Sequence, residues 1–283
     1  MATETIYHGP NRDGTGSIVI IAHSAGNGKT GDAVSLVIAA VEVFGAVKAS
    51  DQSTHGRARA YWGAIKENIE AACGKCMFAA WVHKERDALS LKRCYAQHNY
   101  QNVGQPAKII WEAQDTLPEH GVFQLQNWQN ILRFASYTGV KTIRSAVVGD
   151  LGMVPVDVAT AMIDNGCGFD WLGYTHQWFR SEHLKSTHQA STQGPWKAAQ
   201  NAQGRGWSVY HALPEKDVTV APGFVLCEAQ QGKLAGVRVT CAGCTRKCDG
   251  SGNMNYIIDH GAGANLKRAP AGMVALKSLT IAA

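Results

Sequence analysis

The sequence predicts an α/β protein with a TIM-barrel-like (β/α) core and a cysteine-rich metal-binding insertion. Three observations lead there. Apolar runs of strand length alternate with stretches of helical periodicity from about residue 109 onward; glycines punctuate the junctions; and the cysteines gather into two groups, with Cys167 alone outside them. Alternating strands and helices imply a parallel sheet with crossover helices, either closed into a barrel or left open.

The elements follow in order. Ser17 to Ala22 reads as a strand, His23 to Asp32 as a polar glycine-rich loop, and Ala33 to Val47 as a second apolar stretch. Residues 51–105 are polar and basic and hold Cys73, Cys76 and Cys94, so they are expected to form an insertion or lobe organised partly by metal. Trp128 to Tyr137 is helix-like and leads to a strand, Thr142 to Val148, that ends in Gly149-Asp150. Val154 to Asn165 has apolar residues at helical spacing, with Gly166 where a terminating glycine stands. Asp170 to Tyr174 is the next strand, ending in Thr175-His176-Gln177, followed by a short strand at Ser186 to Ser191. The helix Pro195 to Gln203 has Pro at its start and Gly204 at its end, the asymmetry that helix termini favour. Strands at Trp207 to Leu213 and Gly223 to Cys227 follow, then a cysteine-rich segment, 227–261. The whole chain, 1–283, is expected to be one barrel-like domain carrying these two special segments. In such folds ligands bind beyond the carboxyl ends of the strands. Asp150, His176, His211 and Cys227 all lie at or near those ends.

Composition bounds the function. The 283 residues are 45% hydrophobic and 17% charged, enough to bury a full core. A formal charge of +5 permits a nucleic-acid partner without demanding one. The N-terminus has no basic stretch followed by an apolar one, and the run Ala33 to Val41 is too short to span a bilayer. The expectation is a soluble intracellular protein, without a membrane partner and with its oligomeric state open. In a reducing compartment eight cysteines read as metal ligands or reactive thiols before disulfides.

Cys241-x2-Cys244-x3-Cys248 places three thiolates within eight residues, with Cys227 one strand earlier and His260 twelve residues later. Tetrahedral Zn takes four such soft ligands, and an iron–sulfur cluster takes the same thiolates. Cys73-x2-Cys76 with Cys94 suggests a second site, completed by His83 or His98, and the two groups could share one cluster. Cys167, in an apolar stretch, reads as a core thiol.

Residues His23 to Thr30 approach a phosphate-binding loop between a strand and an apolar run. The pattern needs Gly four residues before Gly28-Lys29-Thr30, where this chain has His23. Asp150 could act as nucleophile, general base or hydrogen-bond acceptor, or simply cap the helix that follows. Gly149 lets backbone approach a ligand beside it. No G-x-S-x-G elbow, HExxH or EF-hand pattern occurs.

Several short motifs then stand in a familiar order. They are Cys73-Gly-Lys-Cys76 with Cys94-Tyr95, Gly149-Asp150 with Val154-Pro155, Gly173-Tyr-Thr-His-Gln-Trp178, Gly206-Trp207, and Cys227 with Cys241-x2-Cys244. In that order the chain resembles the phage branch of the DpdA-type enzymes, relatives of tRNA-guanine transglycosylase. The resemblance spans roughly Lys29 to Gly261. It implies a TIM-barrel-like fold, a host-cytoplasmic phage enzyme, and exchange of guanine in DNA for a 7-deazaguanine base such as preQ0. It implies Asp150 as the nucleophile attacking C1′ and His176 and Gln177 as base contacts; Gly149 and His211 are further candidate substrate contacts by their place at strand ends, His211 otherwise reading as core. It further implies a structural Zn on Cys241, Cys244, Cys248 and His260, although the Cx2Cx3C spacing departs from the Cx1Cx2C of the tRNA enzymes.

Base exchange needs a carboxylate against the sugar, a stacking pocket and a basic surface, with the target base flipped or single-stranded. Arg57, Arg59, Lys84, Arg86, Lys92 and Arg93 would supply a phosphate track; an ordinary solvated basic face is the other reading. Two further functions fit the sequence: a non-catalytic metal-stabilised nucleic-acid-binding phage protein, and a P-loop-like nucleotide hydrolase.

Overall fold

The structure is a computed structural model that describes residues 2–24, 32–74, 100–193, 196–213, 221–237, 239–241 and 243–258. It opens on an antiparallel pair, β1 (Ala2–Pro10) and β2 (Ser17–Ser24). The turn between them is closed by Asn11, whose N–H donates to Gly16 O at 2.8 Å and whose side-chain amide donates to Ala71 O at 3.0 Å.

The apolar run that follows divides in two. Val34–Ala40 is β3, antiparallel to β2, and Val41–Lys48 is helix α1. Every residue of β3 is buried, so the run carries neither the alternation of a half-exposed strand nor the stripe of an amphipathic helix. This overturns one sequence expectation. A phosphate-binding loop joins a strand to a helix, whereas here β2 returns as an antiparallel strand; residues 25–31, with Lys29, lie outside the described residues.

Helix α2 (Thr54–Cys73) starts where the Ser53 side chain accepts the Gly56 N–H at 2.9 Å. Its buried residues Ala58, Tyr61, Ile65 and Ile69 are three or four apart and face β3, α1 and α3 (Tyr100–Glu112), while Ala72 at its end joins the core on the other side. The two ends of the segment expected as an insertion are therefore helices of the main body. On the opposite side of the sheet, α4 (Leu125–Tyr137) packs Trp128, Ile131, Leu132 and Ala135 against Ile18, Ile20, Leu36 and Ile38. The buried Trp128 indole donates to Met162 O at 3.1 Å, which ties α4 to α5 (Val156–Asn165).

Strands β4 (Thr142–Val148) and β5 (Asp170–Leu172) pair in parallel beside β3, giving the order β1-β2-β3-β4-β5. One residue later the chain leaves this sheet. Gly173 separates β5 from β6 (Tyr174–Thr175), the edge of a second five-stranded sheet. There β7 (Gln189–Gln193), β8 (Val209–Leu213), β10 (Met254–Ile258) and β9 (Val225–Leu226) follow, every pair parallel. Helix α6 (Trp196–Gly204) buries Ala199 and Ala202 in the core that holds Ala190 and Val209, and α7 (Glu228–Leu234) follows β9. The molecule is thus a mixed α/β protein with parallel sheet. Among the described residues no helix is long and apolar enough to cross a membrane.

Candidate functional site on one sheet face

Side chains alternate across a strand, so register decides what meets on a face. In the second sheet Tyr174 pairs with Gln189, Ser191 with Tyr210, and Tyr210 with Asn255. Tyr174, His176, Ser191, Tyr210 and Asn255 therefore share one face. Thr192, His211 and Tyr256 belong to the other, over which α6 packs. His211, expected near a substrate, lies on that core side: it is fully buried, bonds Thr192 Oγ1 through Nδ1 at 2.8 Å and stacks on Trp196.

Asp150 follows β4 through Gly149, whose φ of +87° suits glycine, and a Cβ there would stand 2.4 Å from Ile38 O. The carboxylate is buried and doubly held. Oδ1 accepts the Gly152 N–H at 2.8 Å and Oδ2 accepts the His176 N–H at 2.7 Å. Burial alone would raise its pKa; bonding from and electrostatic interaction with His176, together with bonds from Thr175 and Gly152, outweigh it and hold the group below the usual carboxylate range. The His176 ring lies between two partners, Nδ1 3.7 Å from Asp150 Oδ2 and Nε2 3.1 Å from Ser191 Oγ. Behind it, His188 is fully buried, and burial lowers its pKa to about 4, so the ring is neutral at physiological pH.

Gln177 turns away from this face into the protein. Its side chain donates to Cys73 O at 3.0 Å, and the Asp150 N–H donates to Ala72 O at 2.9 Å. The carboxyl end of α2 is thus docked on the residues that position Asp150, which brings Cys73 to this neighbourhood. Cys76 and Cys94 lie outside the described residues, as do His83, Lys84, Arg86, Lys92, Arg93, His98 and His260. Arg57 and Arg59 are on α2, Arg57 with its guanidinium 5.6 Å from the Trp111 ring and Arg59 exposed.

The second group of cysteines is drawn together by backbone and side-chain ties. Cys227 follows β9 and its N–H donates to Tyr256 O at 2.8 Å. The next residue, Glu228, accepts the Thr245 N–H at 2.9 Å and its hydroxyl as well, which fixes the neighbour of Cys244 beside the neighbour of Cys227. The Asn255 side chain reaches Arg246 O at 3.4 Å and Cys248 Sγ at 4.0 Å, and Cys248 O accepts the Gly173 N–H at 2.8 Å. Lys247 pairs with Asp170. Only Cys227 follows a carboxyl strand end. Cys248 lies at the junction of β5 and β6, where its carbonyl accepts the Gly173 N–H just ahead of β6.

Cys248 stands within electrostatic reach of Cys227, Cys241 and Cys244, and Cys244 within reach of Cys227. Burial, then the charges of Cys227, Cys241 and Cys244, push the Cys248 thiol well above its ordinary value, and burial raises Cys244 to about 12. Tyr210 is raised well above its ordinary value by burial, with the charges of Tyr174, Cys227, Cys248 and Cys241 adding to it. It stacks on Tyr174 with ring centroids 5.0 Å apart and an interplanar angle of 4°, and Tyr174 meets His176 edge-on at 6.3 Å. The face therefore runs from Tyr210 through Tyr174 to His176 and Asp150, with Asn255, on the same face, reaching Cys248.

No protein-family model, curated protein or solved structure matches this chain. The assignment of chemistry consequently rests on the residues themselves. Among the described residues no group of three His, Cys, Asp or Glu side chains is arranged to hold a metal ion. Four thiolates on one Zn would lie about 3.8 Å apart, given Zn–S bonds of about 2.3 Å in a tetrahedron. Cys227 and the loop of Cys241, Cys244 and Cys248 are neighbours that would have to draw inward to that spacing. Cys167, read as a core thiol, is exposed, which corrects that expectation: it lies in the turn after α5, beyond the apolar stripe.

Sequence reasoning did not single out Ser191, Thr175, His188 or the Tyr174–Tyr210 stack. The tyrosines meet only through the pairing of β6, β7 and β8, which no local signal in the sequence gives.

Proposed function

We propose that this chain is a thiolate-metal protein in which Cys227, Cys241, Cys244 and Cys248 hold a closed metal centre, Zn by ligand chemistry. The observation that carries this reading is the double tie of Glu228 to Thr245, which clamps the Cys227 segment onto the cysteine loop. A four-thiolate site has no open position, so its work is structural. Bound there, the metal would fix the loop across β6, β8 and β10 and so fix the Tyr210–Tyr174–His176 line. Metal analysis with a visible spectrum tests it. A colourless protein with one Zn per chain is the expected result; brown protein with iron and labile sulfide reassigns the centre as an iron–sulfur cluster, and metal-free protein overturns the reading.

For the activity, base exchange in DNA is the proposal attached to Asp150, within a TIM-barrel-like (β/α) core. Its support is an ionised carboxylate just beyond the carboxyl end of β4, beside aromatic rings that could take a purine such as a 7-deazaguanine. A nucleophile must offer an oxygen to C1′, so one of the two backbone bonds on Asp150 would have to open when substrate binds. Incubation with guanine-labelled DNA and preQ0 should release label from the native chain and not from Asp150→Asn. DNA binding without release would leave the non-catalytic nucleic-acid-binding function.

A further inference from the structure

With both oxygens held by backbone N–H groups, the buried Asp150 carboxylate is well placed to orient the ring beside it. Asp150, His176 and Ser191 come from three elements that the fold brings together: the end of β4, the residue after β6, and the middle of β7. Asp150 Oδ2 stands 3.7 Å from His176 Nδ1, and His176 Nε2 stands 3.1 Å from Ser191 Oγ. We propose that these three residues form a proton relay that makes Ser191 an acyl-accepting nucleophile toward small activated esters.

The chemistry follows from the order of the groups. An ionised carboxylate near Nδ1 favours the tautomer with its proton there, leaving Nε2 as the acceptor facing the hydroxyl. Ser191 Oγ forms a bond to the acyl carbon while its proton passes to His176 Nε2. The bond from that carbon to the leaving oxygen breaks, and the leaving oxygen takes the proton from Nε2. Water then attacks the acyl-serine, giving its proton to the same nitrogen, and the ester bond to Ser191 breaks with return of that proton to Oγ. Ester and water become acid and alcohol, with no oxidant or reductant. Asp150 touches no reacting atom and is a positioning residue.

Access sets the substrate size. Ser191 is 8% exposed and the His176 side chain 24%, so the relay opens on the histidine edge beside exposed Tyr174. A small acyl group fits that opening better than a polymer. The absence of a G-x-S-x-G elbow does not weigh against it, because such relays are recognised by geometry and not by sequence position.

The full chain is treated with a fluorophosphonate probe and with p-nitrophenyl acetate, and the modified peptide is mapped by mass spectrometry. Label is expected on Ser191, with ester turnover lost in Ser191→Ala and lowered about 100-fold or more in His176→Gln. Ser191→Cys supplies a second measurement: its alkylation by iodoacetamide should be faster than in the Ser191→Cys/His176→Gln double variant. Asp150→Asn should move the pH at which labelling sets in, which a merely structural residue would not. Unlabelled Ser191 in folded protein, or turnover unchanged in Ser191→Ala, overturns the proposal. Release of label from guanine-labelled DNA is measured on the native chain and does not enter this test, so the two readings fail separately.

Discussion

Asp150 and His176 are joined at the backbone before their side chains meet: Oδ2 of the aspartate accepts the histidine N–H at 2.7 Å and lies 3.7 Å from its ring Nδ1. The other oxygen accepts the Gly152 N–H at 2.8 Å, so both oxygens are committed inside a buried site. Replacing the carboxylate by a carboxamide turns a donor toward one of those N–H groups. Asp150→Asn is therefore expected to lose about 1–3 kcal/mol of stability, the penalty for a buried donor left unpaired. Urea unfolding measures it, and a loss below about 0.5 kcal/mol would mean that the two bonds are dispensable.

His188 makes the fold acid-sensitive. Its pKa is lowered to about 4 from 6.5, chiefly by burial, so between those values the unfolded chain binds a proton that the folded chain refuses. Stability is then full above about pH 6.5 and falls as pH drops toward 4, by up to about 3 kcal/mol. Asp150 acts in the same direction at lower pH, since its depressed pKa gives stability that is lost when the carboxylate is protonated. Unfolding free energies at pH 7, 5.5 and 4.5 should show the decline in the native chain and a flatter profile in His188→Gln. Equal slopes in both proteins would assign the decline to another group.

Gly149 and Gly139 separate two costs that glycine substitution usually mixes. Both have positive φ, +87° and +78°, but a Cβ at Gly149 meets the Ile38 carbonyl oxygen at 2.4 Å while one at Gly139 meets nothing within 4 Å. Gly139→Ala should cost about 1 kcal/mol, the backbone strain alone. Gly149→Ala should cost at least about 2 kcal/mol more, because either β3 or the end of β4, which carries Asp150, has to move. Thermal melts compare them directly; equal losses would show that β3 yields freely.

Much of the second half of the fold was legible because its signals are local. Strand β4 is found at Thr142–Val148, as its apolar run indicated, and α5 ends at Asn165, just before Gly166. What escaped depends on long-range pairing. The run from Ala33 to Val47 has no glycine until Gly45, so nothing in it marks Ala40 as the end of a strand and Val41 as the start of a helix. Strand β1 is short on apolar residues and is recognisable through its pairing with β2. The site divided in the same way: Asp150 and His176 stood out as polar groups after apolar strands, whereas Ser191 acquires meaning only once β7 lies beside His176.

The cysteine centre gives the last expectation. Cys244→Ser and Cys248→Ser should lose bound metal and melt at lower temperature, since a four-ligand site with one ligand removed is open and weak. Glu228→Ala changes no ligand but frees Thr245, and should weaken metal retention about 10- to 100-fold in a chelator competition. Exposed Cys167 is the control, and Cys167→Ser should leave metal content unchanged. The informative variant is Cys73→Ser. Cys73 stands where α2 docks beside Gln177 and Asp150, apart from the ties that gather Cys227, Cys241, Cys244 and Cys248. Metal content that is unchanged in Cys73→Ser assigns the centre to the four later cysteines alone. A loss equal to that of Cys248→Ser would instead bind both cysteine groups to one cluster, and would bring the metal next to Asp150.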